Sequence, residues 1–231
     1  MIKKAMILAA GYGKRVHPLT LKTPKPLLKI GNNTLLSNTL KFIEKLGIKQ
    51  VVINVHYLGE QIADYINKNK FNLSINVVKE EDKILDTGGG ILNAIQHFSN
   101  EAFLVINPDT IWSSHYLEDV KLMQRIFFEN KKKCLLLVTN KEKSFDRTFK
   151  GDFNLNENLI DRKKKENLNY IYTGLQIIEP KVFSNISEKV FSINKVWDRL
   201  IASNELYAIE SNADFLHVST LDIYKGLLKK I

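Results

Sequence analysis

Cysteine is almost absent from this chain: Cys134 is the single one in 231 residues. One thiol excludes an intramolecular disulfide framework, and its setting, KCLLLV, makes it a small core residue. No apolar run reaches the roughly 18–20 residues a membrane helix needs. The apolar stretch in MIKKAMILAAGYGK resembles a secretory leader only in part. It lacks a cleavage-site pattern and runs at once into Gly-Tyr-Gly-Lys-Arg, so it reads as a buried strand. A cytoplasmic setting is the expectation. Arginine is scarce, and the net charge of +9, from 34 Lys plus Arg against 25 Asp plus Glu, is mostly scattered lysine. The dense basic runs, at 131–133 and 162–165, are not interleaved with aromatic residues as a nucleic-acid platform would be. They read as solvated surface, so neither nucleic acid nor membrane is an expected partner, whereas a small anionic substrate needs only a few placed cations. Internal repeats, Ser/Pro linkers and low-complexity segments are also missing.

What remains is an ordinary globular composition, 44% hydrophobic and 26% charged, long enough for one sizeable core. The first half alternates. Ala5–Ala9 is a short continuous apolar run, as in a strand buried on both faces. TLLSNTLKFIEKLGI sets Leu35, Leu36, Leu40, Ile43 and Leu46 at helical spacing, with Gly47 as its stop. QVVINV, SINVVKE and AFLVINPD read as strands, LGEQIADYINKN and GGILNAIQHF as helices. This order predicts an α/β fold, a doubly wound, mostly parallel sheet with helices on both faces. Ligands of such sheets bind beyond the carboxyl ends of the strands, which directs attention to the loops after Ala9, Val55, Glu80 and Ile106. The second half is less regular: helix YLEDVKLMQRIFFENKKK, strand CLLLVTN, a polar region with a hairpin in GDFNLNENLI, strand YIYTGLQIIEP, helix NKVWDRLIASN, short strand FLHVST and helix LDIYKGLLKK. One domain over residues 1–231 is expected.

The chemistry concentrates in MILAAGYGKRVHPLTLKTPKPL. Gly11 and Gly13 let the backbone approach an anion, Lys14 and Arg15 follow, and Lys25 is held between Pro24 and Pro26. Backbone N–H donors, an Arg fork and a preorganised Lys suit a nucleoside triphosphate. A dinucleotide loop is excluded because its third glycine position is Val16, and a P-loop because Gly13-Lys14 is followed by Arg15.

The whole string resembles the signature of the sugar-1-phosphate nucleotidylyltransferases: Leu-Ala-Ala-Gly-x-Gly-x-Arg, then Pro-Leu-Thr, then Pro-Lys-Pro. The similarity continues through DTGGGI, INPD, GDFNL, YTGLQII and FLHVST. The length, with no room for a C-terminal β-helix, is similar to the compact branch. Within that branch TGGGI and TLKTPKPLL are most similar to the N-acetylmuramate 1-phosphate uridylyltransferases, with the mannose-1-phosphate guanylyltransferases as the alternative. The resemblance implies that an NTP and a sugar 1-phosphate give an NDP-sugar and pyrophosphate. It implies that the N-terminal half binds nucleotide and the C-terminal half sugar. Ala10, Gly11, Gly13 and Arg15 would hold the triphosphate. Lys25 would lie between the α-phosphate and the sugar phosphate, and Asp109 would bind Mg²⁺ or Mn²⁺. Thr87, Gly88, Gly89 and Gly90 would pack on the base. Asn107, Gly151, Asp152, Thr173 and Gly174 would lie on the sugar side.

One departure bears on activity. The family places a second metal-binding Asp in Trp-x-Asp-Val-Gly-Thr; here the segment is Phe215-Leu216-His217-Val218-Ser219-Thr220. His217 then ligates the metal weakly, hydrogen-bonds a phosphate, which is the favoured expectation, or marks a nucleotide-binding homologue without catalysis. Asp214 points to the opposite strand face and is a poor substitute. His17 reads as a surface residue and His56 as a residue that could face the base.

Overall fold

The computed structural model describes residues 1–162 and 168–231, so positions 163–165 of the second basic run lie outside the described residues. In chain order the strands are β1 (Lys4–Leu8), β2 (Lys29–Ile30), β3 (Asn33–Thr34), β4 (Gln50–Val55), β5 (Ser74–Lys79), β6 (Phe103–Ile106), β7 (Cys134–Asn140), β8 (Asn154–Asn156), β9 (Leu159–Asp161), β10 (Tyr170–Ile178) and β11 (Leu206–Ser211). The α-helices are α1 (Leu35–Lys45), α2 (Gly59–Lys68), α3 (Asp86–Ala94), α4 (His115–Glu129), α5 (Asn194–Ala202) and α6 (Leu221–Lys230).

Nine strands form one sheet in the order β5-β4-β1-β6-β10-β7-β11-β9-β8. The first four are parallel. β10 runs antiparallel to both β6 and β7, and β11 returns parallel to β7. The sheet is therefore doubly wound and mixed, as the alternation predicts. Its central strands are near-continuous apolar runs because both faces are covered. Neighbouring residues of β1 show the division. Ile7, with Ile53 and Ile106, packs in a layer with Leu36 and Leu40 of α1 and Met123 of α4. Met6, with Val52 and Val105, packs with Ile91 and Ala94 of α3 and Trp197 of α5. The strand period of two sends successive side chains to opposite layers.

Local signals set the helix ends. Ser37 N–H donates to Thr34 Oγ1 at 3.0 Å, capping α1, and Gly47 follows its last turn at φ 77°, the left-handed position that suits glycine. Helix α3 begins at Asp86, ahead of its glycines. FLHVST does not form a strand of the sheet; it makes isolated bridges, Ser144 to Phe215 and Thr110 to His217, which bring the far end of the chain beside the exit of β6. A third apolar cluster joins Val16, Leu28, Ile30, Val218, Tyr224 and Leu227, so α6 holds the opening loop from beneath. Tyr224 OH donates to Lys29 O at 2.7 Å in support.

Candidate active site

The exits of β1, β4 and β6 and the turn into α3 surround one cleft of about 410 Å³. Among its lining residues are Ala10, Gly11, Gly13, Arg15, Lys25, Thr87, Asn107 and Asp109. The sheet therefore brings together residues eighty or more positions apart at the carboxyl ends of its strands, where this topology places ligands.

The opening loop is shaped by one of its two glycines. Gly13 sits at φ 63°, and a Cβ there would lie 3.0 Å from Thr20 Cγ2 and 3.2 Å from Lys25 Cβ. Its carbonyl accepts Thr20 Oγ1 at 2.9 Å. Gly13 is thus required by the turn. Gly11 is not: a Cβ at Gly11 would meet nothing within 4 Å. Tyr12, between them, leans on Tyr57 with ring centroids 5.2 Å apart, and Tyr57 OH donates to Thr20 O at 3.0 Å. Gln61 Nε2 donates to Lys22 O at 3.0 Å. These contacts hold the loop against the start of α2 with Arg15 exposed at the cleft, and no hydrogen bond or ion pair engages Arg15 among the described residues.

Lys25 opens a short 3₁₀ turn between its two prolines, which fixes the backbone beneath it. Its Nζ is paired with Asp109 Oδ2. The pair lies mostly out of water, with side chains 13% and 18% exposed. Asp109 Oδ1 is buried and has no hydrogen-bond partner; His217 Nδ1 lies 3.6 Å away. Burial works against ionisation of Asp109, but His217 and Lys25 outweigh it and hold the carboxyl down at about 2. Burial, then the charges of Lys25 and Arg15, push His217 down to about 4 against the pull of Asp109 and Asp146. Its imidazole is therefore neutral at pH 7, and the cation that keeps Asp109 ionised there is Lys25.

The tautomer of His217 follows from its neighbours. Thr110 Oγ1 donates its one proton to Thr173 O at 2.8 Å. Its contact with His217 Nδ1, at 3.2 Å, then requires Nδ1–H as the donor. A neutral ring in this state carries a lone pair, not a proton, on Nε2.

The remaining predicted residues are placed differently. Gly88 and Gly89 are buried in α3 against the segment before α5: a Cβ on Gly88 would lie 2.4 Å from the Phe191 ring, and one on Gly89 2.2 Å from Lys189 O. Thr87 Oγ1 accepts Ile193 N–H at 2.9 Å. Gly174, at φ 92°, sits at an irregularity in β10, where a Cβ would lie 2.8 Å from Asn107 Cβ. Thr173 is fully buried and donates through Oγ1 to Leu137 O at 2.8 Å. Gly151 has φ 87° with Leu168 O 2.3 Å from a notional Cβ, and Asp152 Oδ2 accepts Tyr172 N–H at 2.9 Å. Gly88, Gly89, Gly151, Asp152, Thr173, Gly174 and His217 are not among the residues lining the cleft. His17 is exposed. His56 Nδ1 donates to Glu80 O at 2.6 Å, which turns it toward the end of β5.

Among the polar side chains lining the cleft, sequence reasoning assigned no role to Asn54, Asp86 and Ser219. Asn54 had a signal, being the one polar residue inside the apolar run VVINV. Asp86 adopts φ 62°, uncommon for a non-glycine residue, and its Oδ1 accepts the N–H of Thr87. Ser219, noted only as a departure, pairs through Oγ with Asp146 Oδ2.

Comparison with known proteins now adds to this geometry. The sequence profile of the nucleotidyl transferase family matches residues 4–212. An N-acetylmuramate alpha-1-phosphate uridylyltransferase of Caulobacter vibrioides is 26% identical, covering 94% of this chain and 91% of that one. Its counterpart from Neisseria meningitidis is 32% identical over 79% of this chain and 78% of its own. A mannose-1-phosphate guanylyltransferase catalytic subunit beta of Drosophila melanogaster is 29% identical over 90% of this chain, which spans only 57% of that protein. Among solved structures, HddC from Yersinia pseudotuberculosis complexed with GMP-PN superimposes with a TM-score of 0.74 at 20% identity, covering 99% of both chains. The UDP-glucose pyrophosphorylase complexed with UDP-glucose gives 0.79 at 18% identity, covering 100% of this chain and 98% of its own. The chain belongs to the nucleotidyl transferase family and is a sugar-1-phosphate nucleotidylyltransferase.

Proposed function

We propose that the enzyme joins UTP to N-acetylmuramate 1-phosphate, releasing pyrophosphate. The observation that carries the reaction is the Lys25–Asp109 pair at the cleft, with Asp109 Oδ1 buried and unpartnered. The choice of substrates is supported by likeness to the Caulobacter uridylyltransferase over nearly the full length of both chains. The second reading, GTP with mannose 1-phosphate or a related sugar phosphate, is supported by the Drosophila guanylyltransferase and by the HddC complex with GMP-PN. The N-terminal half would hold the nucleotide and the C-terminal half the sugar.

One phosphate anion must attack another, so the barrier is largely repulsion, and positioning with charge stabilisation lowers it. A sugar-phosphate oxygen forms the new bond to the α-phosphorus as the bond to pyrophosphate breaks. In this reading the loop at Ala10 and Gly11 offers backbone to the triphosphate. Gly11 leaves open the space its side chain would fill, and Gly13 keeps the turn. Arg15, without a hydrogen bond or ion pair among the described residues, offsets charge on the departing pyrophosphate. Lys25, fixed between prolines and aligned by Asp109, offsets charge where the two phosphates meet. Thr87 and Asn107 shape the walls for base and sugar.

An orphaned, ionised carboxylate oxygen fits a divalent cation of the Mg²⁺ or Mn²⁺ kind, which needs few protein ligands when phosphates and water complete its shell. Asp109 Oδ1 would hold it, with His217 beside that carboxylate as the second candidate, and when bound it would neutralise phosphate charge. The test is pyrophosphate release across UTP, GTP, CTP and dTTP with N-acetylmuramate 1-phosphate and mannose 1-phosphate. UTP with N-acetylmuramate 1-phosphate should turn over fastest. Faster turnover of GTP with mannose 1-phosphate would select the second reading. NTP binding without pyrophosphate release in any pairing would indicate a non-catalytic protein.

A further inference from the structure

Glu80 is a buried carboxylate, 1% exposed, that the reaction above does not use. It follows β5 directly and joins three segments of the cleft. Asn54 Nδ2 donates to its Oε1 at 2.7 Å, and Leu85 N–H donates to its Oε2 at 2.8 Å. Asn54 in turn accepts Ala9 N–H through Oδ1 at 3.0 Å. The chain of bonds thus runs from the exit of β1, through the end of β4, to the turn that sets Asp86 and Thr87 at the mouth of α3. Ala9, Asn54, Asp86 and Thr87 all line the cleft. The main chain of Glu80 is pinned as well: its N–H donates to Val55 O at 2.8 Å. Helix α3 makes room for the network with Gly90, where a Cβ would lie 2.6 Å from Asn54 Nδ2 and 2.7 Å from Glu80 Oε1.

The residue types follow from donor and acceptor counting. Ala9 N–H and Leu85 N–H are fixed donors. Asn54 must turn its oxygen to Ala9, which turns its NH₂ to position 80. Position 80 therefore faces a donor on each side, and only a group with two acceptor oxygens satisfies both. A glutamine side chain cannot do so, because its NH₂ would meet either Asn54 Nδ2 or Leu85 N–H. An unmet donor in a buried site is destabilising, whereas a fully satisfied network makes its members rigid.

We propose that Glu80 is a positioning residue for the nucleotide: acting through Asn54 and Leu85, it fixes the separation between the phosphate-side exit of β1 and the base-side turn into α3. This rests on the cleft being the NTP site. The test uses the full-length enzyme and three changes: Glu80→Gln, Asn54→Asp, and the two combined. Glu80→Gln should raise the KM for NTP by about tenfold, equivalent to about 1.4 kcal/mol, while leaving the KM for the sugar 1-phosphate and the kcat at saturation within about threefold. Amide hydrogen exchange at Leu85 should speed up by a similar factor. In the double variant the carboxylate introduced at position 54 accepts from Ala9 N–H and from the amide introduced at position 80. The oxygen of that amide accepts from Leu85 N–H, so slow exchange at Ala9 and Leu85 should return. Gly90→Ala, which pushes a methyl into the same network, should reproduce the KM effect of Glu80→Gln and serves if that variant does not fold. An unchanged KM for NTP in Glu80→Gln, an equal rise in both KM values, or a double variant exchanging as fast as the single would overturn the proposal. If the native enzyme binds no NTP, the functional reading fails and the positioning role with it, while the exchange data still report whether the network exists.

Discussion

Two regions of this molecule carry equally polar motifs and use them in opposite ways. At Arg15 and at Asp109 Oδ1, polar groups facing the cleft are left without hydrogen-bond partners among the described residues. Arg15 makes no hydrogen bond or ion pair among the described residues, Asp109 Oδ1 is buried without a hydrogen bond, and a side chain at Gly11 would meet empty space. Between Gly151 and Gly174 the motif residues Asp152, Thr173 and Gly174 are occupied by the fold itself, while Arg162 Nε and Tyr172 OH are buried without a hydrogen bond among the described residues. Asp152 receives Tyr172 N–H, Thr173 donates to Leu137 O, and Gly174 makes way for Asn107. A buried polar group is ordinarily satisfied. Where an unmet group lines the cleft, as Asp109 Oδ1 does, it points to a ligand; where the groups of a motif are met by the fold, the motif is explained by architecture.

Substitutions can break this comparison, and the largest effect belongs to the first region. Lys25→Ala removes a fixed charge from the cleft and leaves Asp109 unpaired. Loss of one preorganised group costs about 10²–10³ in kcat, so steady-state pyrophosphate release should fall by at least that factor. Next come the two glycines of one loop. Gly13→Ala forces a side chain into the left-handed region against Thr20, a cost of about 1–2 kcal/mol. It should lower the thermal midpoint by several degrees. Gly11→Ala meets no protein atom; it should leave the midpoint unchanged and raise the KM for NTP. A lowered midpoint in Gly11→Ala would remove the distinction between a glycine kept for a ligand and one kept for a turn.

In the second region Thr173→Val removes the bond to Leu137 O, worth about 0.5–1.5 kcal/mol. It should lower stability with kcat nearly intact. The smallest effect concerns pH. Burial tends to raise the carboxyl of Asp146, but the hydroxyl of Ser219 and the hydroxyl and amide of Thr148 win and lower it. A depressed carboxyl stabilises the fold above its unfolded range, near 4. That stabilisation is lost as the pH falls through the folded value. Ser219→Ala should therefore melt a few degrees below the native protein at neutral pH, and the gap should narrow as the buffer is taken below about pH 4.

Much of the parallel half was legible because its elements follow one rule each. Continuous apolar runs gave β1, β4 and β6, and the helical spacing of Leu36, Leu40 and Ile43 gave α1. The phosphate-side residues were legible because Arg15 and Lys25 sit at fixed spacing in one loop. The antiparallel entry of β10 and the bridging role of residues 215–220 were not, since both depend on pairing between distant segments. Asn54 and Glu80 escaped notice for the same reason: their meaning lies in a hydrogen-bond chain that links β1, β4 and α3. The glycines at 88 and 89 were read as a surface for the base, and what demands glycine there is contact with Lys189 and Phe191.

The most direct test of the account is single-turnover pyrophosphate release by Asp109→Asn at saturating NTP and sugar 1-phosphate. If Asp109 aligns Lys25 and offers its free oxygen to a divalent cation that neutralises the reacting phosphates, the rate should fall at least about a hundredfold, some 2.7 kcal/mol of lost transition-state stabilisation. A rate within a few-fold of the native enzyme would contradict it.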